Sequence, residues 1–289
     1  MSRFLGIPLV ASWIALATLP GVAAAQGGVT PGAIAAQGVS NLVISGNEVT
    51  AALDLPGIHA DLSLTFEQAV GLTPRNLGLS AQLVDPRDPG LLSRLPPGGS
   101  LPAAFPVLVL VQPPESGGLS FSGIETLSIH AYDLEFTAGC PLRLLTASRG
   151  EPFHDITVNM GQGSYRVRGT SGTFSEFLIA GDTRPLATVI GQKFDTLDRL
   201  LAEHGETLSA SLRSDLQSRL HAARASYAAG EGVEAARGVG AFADTVRRHS
   251  GSEIPDVWRA GGDLVNLAGL LRAAAGTLQL SLSLMPSTP

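Results

Sequence analysis

The chain has 289 residues, a formal net charge of −6 and a single cysteine, Cys140. Mild acidity argues against nucleic acid and anionic membrane surfaces as main partners, and one cysteine excludes an internal disulfide. A chain of this length buries one large core or two modest ones, so the fold has to be held by apolar packing.

Residues 1–25 read as a secretory signal peptide. Arg3 gives a positive start, Phe4 to Leu19 is apolar without a charge, Pro20-Gly21 breaks the helix, and Ala23-Ala24-Ala25 supplies small residues for cleavage. Cleavage after Ala25 would start the mature chain at Gln26. The apolar stretch is shorter than a membrane span needs, and no cysteine follows it to carry a lipid. The expected localisation is therefore periplasmic or extracellular, with no stable membrane anchor. Residues 26–40, rich in Gly and Ala, read as a flexible leader.

From 41 to 181 the pattern is of short strands separated by turns. Leu62, Leu64 and Phe66 alternate with polar residues, as do Leu77, Leu79, Ala81 and Leu83, which is the period of a strand with one buried face. Phe105 to Val111 is a continuous apolar run, as in a strand buried on both faces. Further strands are expected at 48–53, 125–131, 142–146, 156–159, 165–169 and 174–180, with a short helix at 89–95. Seven to nine strands with Gly/Pro-rich connections predict an antiparallel β-sandwich.

The texture changes at Asp182-Thr183-Arg184-Pro185, where Thr183 can cap a helix and Pro185 suits its first turn. Leu186, Ile190, Phe194, Leu197 and Leu201 then form one helical stripe. Leu212, Leu216, Leu220, Ala223 and Tyr227 form a second, closed by Gly230. Val239, Phe242 and Val246 form a third. Pro255 opens a fourth that carries Trp258, Leu264, Leu267, Leu271 and Leu278. Alternation of Leu278, Leu280, Leu282 and Leu284 predicts that the last residues leave the helix as an edge strand. The expected fold class is α+β: an antiparallel β-sandwich over 41–181, followed by a C-terminal bundle of about four helices over 182–284.

Leu216, Arg219, Leu220, Ala223, Gly230, Ala235, Ala236, Val239, Phe242, Val246 and Ile254 together resemble the FIMAH module, a small helical domain appended to secreted bacterial proteins. That resemblance implies an accessory role and no catalysis. Phe153-His154-Asp155-Ile156-Thr157, Tyr165 to Gly169 and Phe174-Ser175-Glu176-Phe177 resemble the last strands of ZU5-like and Ig-like surface modules. The His-Phe-Ser or His-Leu-Ser step of the autoproteolytic relatives is missing, so self-cleavage is not implied. The whole chain resembles an uncharacterised family of secreted proteobacterial proteins.

No motif for catalysis, metal or cofactor stands out. None of His59, His130, His154, His204, His221 and His249 pairs at metal-ligand spacing. His59 and Asp61 would share one strand face, which reads best as two solvated residues, and His154 and Asp155 would point to opposite faces. Gly161-Gln162-Gly163-Ser164-Tyr165 and Gly169-Thr170-Ser171-Gly172 lack the spacing of a nucleophile elbow and read as hairpin turns. Asp85-Pro86-Arg87-Asp88-Pro89 reads as a loop capping the short helix rather than a calcium loop. Trp258 and Tyr227 read as core residues, and Cys140 as a small buried one. No catalytic, cofactor-binding or metal-ligating residue is therefore assigned, and no cofactor is expected. The expected function is a secreted or periplasmic, non-enzymatic interaction module of the bacterial envelope, with another envelope or extracellular protein as partner. The alternatives are a secreted hydrolase whose acid and base come from separate strands, and a self-assembling surface protein.

Overall fold

The computed structural model describes residues 37–286 apart from 138, 162 and 175; the signal peptide, its cleavage point and most of the leader lie outside the described residues. In chain order the elements are β1 (Val39–Ser45), β2 (Glu48–Leu55), β3 (Ile58–Val70), α1 (Pro74–Leu77), β4 (Leu79–Leu83), α2 (Pro89–Leu92), β5 (Val107–Val111), β6 (Ser120–Phe136), β7 (Leu142–Ala147), β8 (His154–Asp155), β9 (Thr157–Gly161), β10 (Gly163–Ser171), β11 (Glu176–Gly181), α3 (Leu186–His204), α4 (Ala210–Ala228), α5 (Gly232–His249), β12 (Val257–Arg259) and α6 (Leu267–Ser283). The fold is mixed α and β, with antiparallel strand pairs and its four long helices at the C-terminal end. The described residues lie in one compact unit.

The strands form two sheets, one ordered β1-β2-β3-β6-β10-β9, the other β4-β5-β11-β7-β8. Alternation decides which residues face inward. Val49, Leu62, Leu64, Leu127, Ile129 and Val167 of the first sheet share a core with Leu79, Val109, Leu144, Phe177 and Ile179 of the second. The outer face of the second sheet is covered too. Leu108, Leu145, Leu178 and Ala180 pack under Leu91 of α2 and under Leu95, Leu101 and Phe153 from the connecting loops. Coverage of both faces explains why Val107–Val111 and Phe177–Ala180 are continuously apolar, while the strands of the first sheet alternate.

The helices bury their stripes against one another: Ile190, Phe194, Leu216, Val239, Phe242 and Leu271 share a separate core. Helix α6 also packs on β6, β9 and β10. Its Asn266 cap accepts from Gly269 N at 2.8 Å, and its amide donates to Gly123 O at 2.6 Å and Gly172 O at 3.1 Å. A Cβ on Gly172 would stand 2.4 Å from Leu270 N, so only glycine admits this approach. On the same helix Arg272 clamps Glu67 of β3 with two hydrogen bonds, 2.7 and 2.6 Å.

Several expectations need correction. The nine expected strands are present, and β1, β8 and β12 were not anticipated; β1 starts at Val39, inside the segment read as a leader. Leu77 belongs to α1 rather than a strand. Gly169, Thr170 and Ser171 continue β10 instead of turning. Thr183 does not cap α3; Pro185 occupies the cap position, and the Thr183 hydroxyl donates to Gly98 O. Trp258 is not helical. Beyond Glu125, β10 no longer pairs with β6, and Val257–Arg259 takes that vacated edge opposite Ser122–Ser120. The gain is a set of backbone hydrogen bonds that a partly buried edge would otherwise lack. Trp258 then joins Phe121, Phe174 and Phe66 in an aromatic cluster, with centroid distances of 4.8 Å to Phe174 and 5.4 Å to Phe121. Leu278 to Ser283 stay helical, because the helical period brings Leu278 and Leu282 onto one buried face. Among the described residues there are six helices: four long ones at the C-terminal end, the short one expected near Pro89, and the single-turn α1, which was not anticipated.

A candidate binding cleft

A cleft of about 630 Å³ opens where the second sheet meets the helices. Its walls come from the loop after α2, the β7–β8 loop, the end of β10, and the facing sides of α3 and α6. Ion pairs hold the walls. Lys193, the single lysine, donates to Asp155 Oδ2 at 2.6 Å, Thr277 O at 3.0 Å and Ser281 Oγ at 2.8 Å, satisfying all three of its N–H groups. One ammonium thus joins α3 to β8 and α6. Burial alone would raise the Asp155 pKa, but the Lys193 charge and hydrogen bond, with the Thr157 donors, hold the carboxyl below its usual range.

Arg94 plays the same part on the opposite wall. It pairs with Glu176 of β11, donates to Glu151 O at 2.8 Å and Ser148 O at 3.3 Å, and lies 4.5 Å over the Phe153 ring. Arg184 forks onto Asp182, with contacts of 2.8 and 2.5 Å, and reaches Gln192. His154 is exposed to the cleft yet ringed by protein. Desolvation, with the charges of Arg199 and Lys193, outweighs nearby Asp155 and keeps its pKa below the ordinary imidazole value. Among the described residues its ring makes no side-chain hydrogen bond.

A second polar array lies on the outer face of the first sheet, beside a trough of about 610 Å³ lined by Ser63, Ser128, Asn159, Arg166 and Arg168. Three strands contribute. His130 Nε2 on β6 is 2.6 Å from Ser164 Oγ on β10, while its Nδ1 is 3.9 Å from Asp61 on β3, which accepts from Tyr132 Oη at 2.5 Å. Desolvation and the nearby Arg166 lower the His130 pKa, with Asp61 partly opposing them.

His59 and Asp61 do share an exposed face, but each finds a different neighbour: His59 lies 3.8 Å from Asp54, and Asp61 looks across to His130 and Tyr132. His154 is exposed and Asp155 buried on β8, yet both line the cleft, Asp155 held there by Lys193. His249 pairs with Glu253 at 2.6 Å, and Asp88 caps α2, with Gly90 N at 2.7 Å. Cys140 is buried. Ser164 and Tyr165 lie on β10 rather than in a turn, and the turn reading missed the histidine that the Ser164 hydroxyl meets. The sequence pointed to neither array, because Ser164, His130 and Asp61 come from three separate strands. Among the described residues no three His, Cys, Asp or Glu side chains gather at metal-binding distance, and no helix is long and apolar enough to cross a membrane.

Residues 14–285 match a family of unknown function, DUF6689. The chain belongs to that family. No curated protein and no solved structure matches it. Because the DUF6689 match spans both the sheets and the helices, the cleft between them lies wholly inside the family's boundaries.

Proposed function

We propose that this DUF6689 member is an exported, non-enzymatic binding protein of the bacterial envelope or the extracellular space, and that the cleft is where it binds. In this reading residues 41–181 act as a sandwich-type interaction module of the Ig- or ZU5-like kind. Residues 182–284 act as a FIMAH-like accessory element, and the partner is another envelope or extracellular protein that presents or receives what the cleft holds. The observation that carries the reading is the way the charged side chains of the cleft are occupied. Lys193, Arg94 and Arg184 are committed to fixed acceptors, which suits a rigid receptor better than a base or nucleophile that must exchange protons. Two measurements test it. N-terminal sequencing of protein recovered from periplasm and medium should start at Gln26. Capture from the same fractions should retain one partner with the wild-type chain and release it when Thr196→Trp fills the cleft.

A second reading, a hydrolase, is favoured by one observation: the 2.6 Å contact between His130 and Ser164. In that reading Ser164 is the nucleophile, His130 its base and Asp61 the orienting carboxylate. Turnover on an esterase panel, abolished by Ser164→Ala, would replace the binding reading with this one. An unlabelled Ser164 after treatment with a fluorophosphonate would remove it.

A further inference from the structure

We infer that the cleft receives a small amphipathic organic anion, with a carboxylate or sulfonate head and a flat apolar body. The inference rests on the binding reading above and names its ligand class. The volume of about 630 Å³ is that of a small-molecule site and far exceeds a bare inorganic anion. Pro96, Pro97, Phe153, Ile156, Leu200 and Ala274 give the cleft an apolar strip that only an apolar body would dry.

Charge selects the other end of the ligand. The lining holds Arg94, Arg184, Lys193 and Arg199 but only two carboxylates, Asp155 and Glu203, in a chain whose net charge is −6. Those two are already engaged, Asp155 by Lys193 and Glu203 by Arg199 at 2.9 Å. The acids that balance Arg94 and Arg184 stand behind the wall: the Glu176 and Asp182 side chains do not line the cleft and are 9% and 4% exposed. Lys193 has no N–H left to give, but Arg94, Arg184 and Arg199 keep guanidinium N–H groups beyond those their partners take, so an entering anion meets donors from two walls while an entering cation finds no free carboxylate. His154 adds a ring whose nitrogens have no side-chain partner among the described residues, and desolvation with the Arg199 and Lys193 charges outweighs Asp155 to hold its pKa down. A neutral imidazole beside guanidinium groups can donate one hydrogen bond to an acidic head.

The experiment is a fluorescence titration of the full chain with anilinonaphthalene sulfonate and, separately, with neutral phenylnaphthylamine. The sulfonate should bind at one site about tenfold or more tighter than the amine, the worth of one charge-assisted hydrogen bond. Arg199→Glu should erase most of that preference, and Thr196→Trp should abolish binding of both probes while leaving the thermal unfolding transition in place. If Thr196→Trp fails to fold, Gln192→Trp, on the exposed side of the same helix, blocks the cleft instead. Equal affinity for the two probes would overturn the anionic class while leaving an apolar receptor. Binding that survives both blocking variants would overturn the location. Binding of neither probe would overturn the small-ligand inference outright, and the partner capture described above would then judge the broader reading on its own.

Discussion

Two buried carboxylates, Asp155 and Glu125, have opposite fates. Both are desolvated, which by itself pushes a carboxyl pKa upward. Asp155 meets Lys193 and the Thr157 donors and stays ionised below its usual range. Glu125 lies on β6 opposite Phe66 and Ser171, and neither of its oxygens has a hydrogen-bond partner among the described residues. Its pKa is raised well above the usual carboxylate value by burial alone, which favours the protonated acid. The same chemical group is an electrostatic fastener at the cleft and a polar intrusion in the sheet core. What separates them is one ammonium group.

The largest break in this contrast is Lys193→Met. It leaves Asp155 buried without its cation and should cost about 3–5 kcal/mol in a urea unfolding experiment. Adding Asp155→Asn to that variant should recover part of the loss; no recovery would mean that Lys193 acts through packing rather than charge. Next comes Asn266→Ala, which uncaps α6 and strands the Gly123 and Gly172 carbonyls, for an expected loss of about 2–3 kcal/mol. The Trp258 fluorescence change on unfolding would report it.

The pH profiles should then differ in sign. Asp155 contributes stability that is present above the ordinary carboxylate range and lost as pH falls through its depressed folded value. Glu125 does the reverse. With its folded pKa raised, stability is full below the ordinary carboxylate value and falls as pH rises toward the folded one, by up to about 1.4 kcal/mol per pH unit. Glu125→Gln should flatten that decline and leave the acid-side loss unchanged. If the wild type and Glu125→Gln run parallel above the ordinary carboxylate range, the folded-state pKa of Glu125 is not raised. The smallest effect expected is from Arg272→Ala. Its partner Glu67 is 44% exposed, so water screens the pair and a loss of about 1 kcal/mol or less is expected.

Much of the fold was legible because burial leaves a periodic trace. The alternation of Leu62, Leu64 and Phe66 marked β3, and the unbroken apolar run ending at Val111 marked a strand covered on both sides. The stripes of α3, α4 and α5 announced helices in the same way. The misreadings fall where local pattern and tertiary demand part company. Val257-Trp258-Arg259 has too few residues to show a period and becomes a strand only because β6 has a vacant edge there. The alternating leucines from 278 to 284 fit a strand as well as a helix until α6 is seen packed on the sheet. The cleft left no local trace, since its walls come from segments spread between Arg94 and Thr277.

The sequence by itself determined that most strands precede the four long helices, and that there is no internal disulfide. Both follow from properties that act along the chain: side-chain periodicity and residue count. The tertiary structure alone decided which charges meet. It set Lys193 against Asp155, 38 residues away, left Glu125 without a partner among the described residues, and brought His130 within reach of Ser164. Those outcomes depend on distances of a few ångströms between residues remote in sequence, where Coulomb and hydrogen-bond energies change most steeply.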